Sequence, residues 1–147
     1  MSATIYFSGA ISGGREDVAL YGEIVEALLA GGYRVLAGAV ASETVGAHGE
    51  ALDAEAIFAR DMEWLRDADL IVAEVSKPSL GVGYEVAVAR YLYEIPAICL
   101  WRPAHARRCS AMIAGDPGID FLEYESIAEM LPRLVAAIEK YATRKAG

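Results

Sequence analysis

The fold is decided by the stretch LIVAEVSKPSLGVGYE, residues 70–85. Its first part is a short and mostly apolar run, for which we predict a buried strand from Leu70 to Val75. A loop with Pro78 and two glycines follows, and the apolar spacing beyond it predicts a helix from about Gly83 to Tyr93. A buried strand that leads through a glycine-rich loop into a helix is the repeating unit of parallel α/β sheets.

The same alternation of short apolar runs and amphipathic segments continues along the chain. Further strands are predicted at Thr4–Ser8, Arg34–Ala37, Ala97–Trp101 and near Phe121–Tyr124. Further helices are predicted through Tyr21, Ile24, Val25, Leu28 and Leu29 up to Gly31-Gly32, from about Leu52 to Ala68, and from about Ser126 to Tyr141. We therefore predict one α/β domain over residues 1–147, built on a five-stranded, mainly parallel sheet with helices on both faces.

The composition is that of a folded chain with an acidic balance. The 147 residues include 21 acidic and 13 basic side chains, for a net charge of -8, and 55% of them are hydrophobic. A chain of this length buries enough surface to form one core. The acidic excess disfavours nonspecific binding to nucleic acid, which depends on many lysines and arginines. We therefore expect a small-molecule ligand and no nucleic-acid polymer.

Membrane insertion, export and metal binding are not predicted. The apolar stretch Ile95–Trp101 is interrupted by a proline and is far shorter than the about 20 residues of a membrane-spanning helix. The first residues show no basic region of the kind found in signal peptides, so we expect a cytoplasmic protein. Cys99 and Cys109 do not form a C-x-x-C pair, and His48 and His105 belong to no cluster of metal ligands, so we expect no metal.

Two glycine-rich loops follow strands at the sheet edge where open α/β folds bind ligands. The second loop, residues 76–85, contains Ser79 and Gly81. The first loop consists of Gly9, Ala10, Ile11, Ser12, Gly13, Gly14 and Arg15. Glycines let a ligand approach the backbone, and the following helix N-terminus offers free N–H groups to an anion such as phosphate. The first loop matches neither G-x-G-x-x-G nor a G-K-[ST] phosphate loop, so a tight strand-to-helix turn is the alternative.

Two carboxylates are placed to face this edge. Glu85 falls in the first turns of the third predicted helix, where we expect the helix dipole to keep it ionised. Asp61 shares the apolar face of the second predicted helix with Trp64 and Leu65, a position that acids rarely occupy without a partner or a function. A pair of carboxylates in different environments is typical of glycosidic chemistry. Alternatively, Glu85 is only an acidic residue that favours a helix start.

Further candidates lie near these carboxylates. The hydroxyl of Tyr6, on the side of the first strand opposite its apolar neighbours, can orient a carboxylate, although a core tyrosine is the simpler interpretation. Glu74 ends the third predicted strand and is ranked as a supporting acid. Positive charge gathers after the fourth predicted strand, at Arg102, His105, Arg107 and Arg108. This charge suits an anionic substrate, but a solvated loop explains it too.

Several stretches of the sequence resemble one enzyme family. They are IYFSG (5–9), GGRED (13–17), RDMEWL (60–65), VAEVSKPSLGVGYE (72–85) and SAMI (110–113). They are similar to stretches of the 2'-deoxynucleoside 5'-monophosphate N-glycosidases, which belong to the nucleoside 2-deoxyribosyltransferase-like superfamily. The resemblance implies a flavodoxin-like (Rossmann-like) sheet, chemistry without a metal or organic cofactor, and a homodimer whose subunits share their active sites.

The resemblance also implies roles for individual residues. Glu85 matches the nucleophile that attacks C1' of the deoxyribose, Asp61 matches the acid that assists departure of the base, and Tyr6 matches the tyrosine that hydrogen-bonds the nucleophile. Ser79 matches a serine that contacts phosphate. The segment Ser110, Ala111 and Met112 matches the one that the partner subunit inserts into the site. Tyr21 and the loop from Gly9 to Arg15 match positions that line the substrate.

The sequence departs from the family pattern at Ala10, Ser12 and Ala39, where the family has Ser, Arg and His. Because the serine hydroxyl and the arginine are absent here, the charge-assisted hydrogen bonds that they can donate to a phosphate are absent too. We predict hydrolysis of a deoxynucleoside 5'-monophosphate to free base and deoxyribose 5-phosphate. Three alternatives stay open: an unphosphorylated deoxynucleoside as the substrate, transfer of the sugar to a second base, and binding of a nucleotide without catalysis.

Overall fold

A five-stranded parallel sheet forms the centre of the computed structural model, which describes residues 2–11, 15–37, 52–104 and 108–146. The strands are β1 (Thr4–Ser8), β2 (Arg34–Leu36), β3 (Leu70–Glu74), β4 (Ala97–Trp101) and β5 (Ile119–Glu123). Their order is β2-β1-β3-β4-β5, and every neighbouring pair is parallel. This is the order of flavodoxin-type sheets, so the predicted α/β fold is confirmed.

The helices alternate with the strands. They are α1 (Arg15–Ala30), α2 (Ala54–Asp67), α3 (Leu80–Ala87), which continues as a π-helical turn (Val88–Leu92), α4 (Ala111–Ala114) and α5 (Ile127–Ala146). Side-chain oxygens cap three of the N-termini: Asp53 accepts from the N–H of Ala56 at 2.8 Å, and Ser79 and Ser126 accept from the N–H three residues on. At the end of α1, Gly32 adopts φ +89°, as expected for a glycine that terminates a helix.

The structure corrects some of the predicted boundaries. The third helix begins at Leu80 rather than Gly83, because Ser79 caps it and the two glycines lie inside its first turns. The last strand begins at Ile119, two residues before the predicted Phe121. The four-residue helix α4 was not predicted, since one turn is too short to show a helical period.

Strand alternation divides the core between the two faces of the sheet. The face under α1 and α5 contains Ile5, Phe7, Leu70, Val72, Ile98 and Leu100. The face under α2 and α3 contains Tyr6, Ile71, Ala73, Ala97 and Cys99. Because Tyr6 and Ser8 are two residues apart on β1, their side chains point to the same face, toward α3.

In the described ranges, none of the helices combines the length and the apolar character needed to cross a membrane.

Candidate active site

The Glu85 carboxylate is held by two hydroxyl groups of β1. The hydroxyl of Tyr6 donates to Oε2, and Oγ of Ser8 donates to Oε1 at 3.2 Å. Both donors are buried and Glu85 is partly buried. Each carboxylate oxygen therefore has its own donor, and the side chain is fixed between α3 and the end of β1.

Burial raises the pKa of Glu85 to about 7. The Tyr6 hydrogen bond opposes this rise, the nearby charge of Asp61 adds to it, and Ser8 and Arg60 lower the pKa. Glu85 is the sixth residue of α3 and lies beyond its first turn, so burial outweighs the expected effect of the helix dipole on its pKa. Burial likewise raises the pKa of Tyr6, which stays a hydrogen-bond donor.

Asp61 lies close enough to this pair to influence both members. Its charge raises the pKa of Glu85 and of Tyr6. The carboxylate itself is bound by the next residue in the chain: Nε and a terminal nitrogen of Arg60 both lie 2.9 Å from Asp61 Oδ1. The Arg60 guanidinium also lies over the Trp64 ring, 4.7 Å from its centroid. The structure therefore brings together Tyr6, Asp61 and Glu85, as the sequence predicts.

Ser79 and the segment Ser110–Met112 line a separate cavity of about 950 Å³. Tyr6, Asp61 and Glu85 are not among the described residues that line it. Ser79 is partly buried and its Oγ accepts from the Val82 N–H at 3.3 Å, whereas Ser110, Ala111 and Met112 are exposed. Gly81 is exposed at the start of α3. One subunit thus holds the predicted residues in two groups.

The described part of the first glycine-rich loop is packed against α1. Gly9 and Ala10 are buried and Ile11 is exposed. Tyr21 is fully buried beneath Gly9, on the sheet face opposite Glu85, so it supports the loop from inside the core. Ser12, Gly13 and Gly14 lie outside the described residues, as do Ala39, His48, His105 and Arg107. Arg15 begins α1.

Glu74 and Arg102 belong to the opposite face of the sheet. The fully buried Glu74 accepts hydrogen bonds from the Tyr124 hydroxyl and the Ser76 N–H, and it pairs with Arg102 Nε at 3.0 Å. A second nitrogen of Arg102 lies 3.0 Å from Asp17 of α1. Arg102 therefore ties β4 to α1, and the expectation that it serves an anionic substrate is not supported.

Sequence reasoning missed two residues of this site. Ser8 is two positions beyond Tyr6 on the same strand, so the period of the strand was a sufficient signal. Arg60 directly precedes Asp61 and donates a hydrogen bond to it, while its guanidinium lies over the ring of Trp64, one helical turn further along α2. Helical spacing gave no reason to expect that contact between consecutive residues.

In the ranges that the structure describes, no group of three or more His, Cys, Asp or Glu side chains is arranged to hold a metal ion.

The sequence of the chain matches a family model over the residues that carry this geometry. The model is that of nucleoside 2-deoxyribosyltransferases, and it matches residues 5–110. The chain belongs to the nucleoside 2-deoxyribosyltransferase family. This confirms the resemblance found in the sequence.

The names of curated relatives state a reaction more specifically than the name of the family does. A protein of Syntrophotalea carbinolica named as a 2'-deoxynucleoside 5'-phosphate N-hydrolase is 42% identical over 130 residues, which are 88% of this chain and 90% of that protein. The 5-hydroxymethyl-dUMP N-hydrolase of Mus musculus is 49% identical over 114 residues, 76% of this chain and 65% of the mouse protein. The chain thus spans slightly under two thirds of the mouse relative. The expectation of an N-glycosidase is confirmed by these relatives.

Solved structures share the fold at low identity. The solution structure of BlsM has a TM-score of 0.78 and 19% identity, covering 99% of this chain and 95% of that one. The structure of the Clostridium botulinum CMP N-glycosidase BcmB has a TM-score of 0.64 and 15% identity, covering 90% and 98%. These likenesses show the fold alone.

Proposed function

We propose that this chain hydrolyses the N-glycosidic bond of 2'-deoxynucleoside 5'-monophosphates to free nucleobase and 2-deoxyribose 5-phosphate. The observation that carries the proposal is the Glu85 carboxylate, fixed through both oxygens by Tyr6 and Ser8 beside Asp61. The names of the relatives support this reaction and do not favour transfer to a second base. We expect a single domain that works in the cytoplasm.

In the proposed mechanism, Glu85 is the nucleophile. One of its carboxylate oxygens forms a bond to C1' while the bond from C1' to the base nitrogen breaks, and the bonding electrons leave with the base. Asp61 delivers the proton that the departing base takes up. Water then attacks C1' of the covalent intermediate, releases Glu85, and returns a proton to Asp61. The Tyr6 hydroxyl orients the nucleophile through its hydrogen bond.

Recognition of the 5'-phosphate is assigned to the start of α3. Ser79 caps this helix through its acceptor lone pair, so its O–H stays available to donate to a phosphate oxygen. The N-terminus of the helix favours negative charge. Lys77 and Arg108 line the same cavity and add cationic groups. These groups take the place of the family's serine and arginine, whose positions are Ala10 and Ser12 here.

We assign Ser110–Met112 to the site of a partner subunit in a homodimer. Within one chain, the exposed Ser110 and Met112 make no described hydrogen bond to Tyr6, Asp61 or Glu85, whereas Ser79 of the same cavity caps the helix that contains Glu85. The surface around that cavity exposes large apolar side chains, with Leu80 97% and Met112 83% exposed. Exposed large apolar side chains that line one cavity are typical of protein interfaces. A second copy of the chain that covers this surface brings its own Ser110–Met112 segment to the carboxylates of the first copy.

The decisive experiment compares substrates and reads products by chromatography. The protein is incubated with the four deoxynucleoside monophosphates and with the matching deoxynucleosides, with and without a second free base. We expect release of base from the monophosphates and no new nucleoside. Cleavage of deoxynucleosides alone contradicts recognition of phosphate, and a new nucleoside that forms with added base identifies a transferase.

The same assay tests the nucleophile. Glu85→Gln should reduce turnover by at least about a thousandfold, because the covalent step is lost. Glu63→Gln, an exposed acid on α2, is the matched control and should keep full activity. Mass spectrometry of the unsubstituted protein, quenched with acid during turnover, should detect a deoxyribose phosphate adduct on the peptide that contains Glu85, and Glu85→Gln should show none. Turnover in Glu85→Gln at the control rate refutes the covalent mechanism.

A further inference from the structure

The carboxylate pair of the site raises an electrostatic problem. Glu85 and Asp61 are both partly buried, and the charge of Asp61 disfavours ionisation of Glu85. The groups that act on Glu85 come from two elements: Tyr6 and Ser8 from β1, and Asp61 and Arg60 from α2. The two hydroxyls donate hydrogen bonds but carry no positive charge. Among these four groups, Arg60 is the cation.

Arg60 is held in place on two sides. Both of its contacts to Asp61 end on Oδ1, at 2.9 Å each, so they leave Oδ2 without a hydrogen bond to the described residues. The face of the guanidinium lies over Trp64 at 4.7 Å from the ring centroid, a favourable cation–π distance. The side chains of Arg60 and Asp61 are each only 23% exposed, so solvent screens this pair less than a surface pair.

We infer that Arg60 is a positioning residue of this site: held between Trp64 and Asp61, it fixes the Asp61 carboxyl group beside Glu85 through Oδ1 and places a positive charge next to the two acids. This inference rests on the proposed function, and it adds a residue to which no role has been given. The direction of its electrostatic effect agrees, because the charge of Arg60 lowers the pKa of both Glu85 and Tyr6.

The same helix provides a matched control. Arg66 also precedes an aspartate, Asp67, and pairs with it at 3.7 Å, but these side chains are 60% and 61% exposed. Arg66→Gln therefore removes one arginine and one neighbouring ion pair from α2 without touching the carboxylate site. Any general effect of lost charge on the helix appears in both variants.

The experiment follows Glu85 directly by carbon NMR of the labelled side-chain carboxyl, assigned with Glu85→Gln. In Arg60→Gln, we expect the titration midpoint of Glu85 to move upward by about one pH unit, which lowers its ionised fraction about tenfold below both midpoints. Arg66→Gln should match the unsubstituted protein. In Arg60→Lys, the Glu85 midpoint should stay close to that of the unsubstituted protein, because the charge is kept. This variant should still lower kcat, because an ammonium group cannot make both guanidinium contacts to Asp61 or stack on Trp64.

The outcomes separate this inference from the proposed function. An unchanged Glu85 midpoint in Arg60→Gln, equal to that of Arg66→Gln, overturns the inference even if the enzyme is active. A protein that releases no base from any nucleotide refutes the proposed function, while the NMR titration still reports on Arg60. A purely structural role for Arg60 predicts a lower melting temperature with the midpoint unmoved, which also counts against the inference.

Discussion

The ionised form of Glu85 lowers the free energy of unfolding. Its pKa of about 7 in the folded protein exceeds the ordinary value of 4.5, because burial disfavours the charge. Between these two pH values the folded chain keeps a proton that the unfolded chain has lost, so the free energy of unfolding falls as pH rises. The loss is fully present above about pH 7 and absent below about pH 4.5. A nucleophile that is partly desolvated thus lowers stability at the pH where it can react.

This predicts that Glu85→Gln stabilises the protein while it removes activity. Glutamine is neutral at every pH, so the variant should be more stable than the unsubstituted protein by up to about 3 kcal/mol at about pH 8 and nearly equal at about pH 4. Urea unfolding at both pH values measures the difference. Glu63→Gln, whose side chain is exposed, should show no difference at either pH. A gain in stability that is the same at both pH values would show that ionisation is not its cause.

At the scale of elements, short-range pattern predicted the sheet but not every helix end. β1 and β4 have the predicted bounds because both are apolar runs with clear turns beside them. α3 was placed too late because its two glycines indicate a loop, whereas Ser79 as a cap decides the start. Spacing on α2 was enough to place Asp61 near the site. Contacts between elements, such as Ser8 with Glu85 or Arg102 with Glu74, depend on the packing of the sheet and were not predicted.

The junction of β1 and α1 allows a test at this scale. A Cβ on Gly9 would lie 2.9 Å from Cζ of Tyr21, and this ring is fully buried and has no room to move away. We expect Gly9→Ala to destabilise the protein by about 1–3 kcal/mol and to lower activity further, because Gly9 adjoins Ser8. Gly22→Ala, within α1 and with nothing in 4 Å of the new methyl group, should instead stabilise by about 0.5–1 kcal/mol. Equal effects of the two substitutions on urea unfolding would contradict the close contact with Tyr21.

At the scale of the whole molecule, the proposed homodimer accounts for two observations: the site residues of one chain lie in two groups, and large apolar side chains are exposed beside one of these groups. The carboxylates lie between β1, α2 and α3, while Ser110 and Met112 lie in a cavity on another side of α3. Arg90 of the π-helical turn pairs at 2.6 Å with Asp116, two residues beyond α4, and so ties the chain after α4 to this turn. The exposed segment is therefore anchored just beyond its end, and in the proposed homodimer a second copy of the chain receives it.

The proposed homodimer predicts that two inactive variants restore each other. Glu85→Ala keeps an intact Ser110 segment, and Ser110→Ala keeps an intact Glu85, so a mixed dimer contains one complete site. Random mixing should recover roughly a quarter of normal activity, because half of the dimers are mixed and each has one working site. Leu80→Asp should abolish both dimer formation, seen by sedimentation, and this recovery, whereas Leu29→Asp, exposed on α1, should leave both unchanged. Full activity of a monomeric Leu80→Asp protein would place the whole site within one chain.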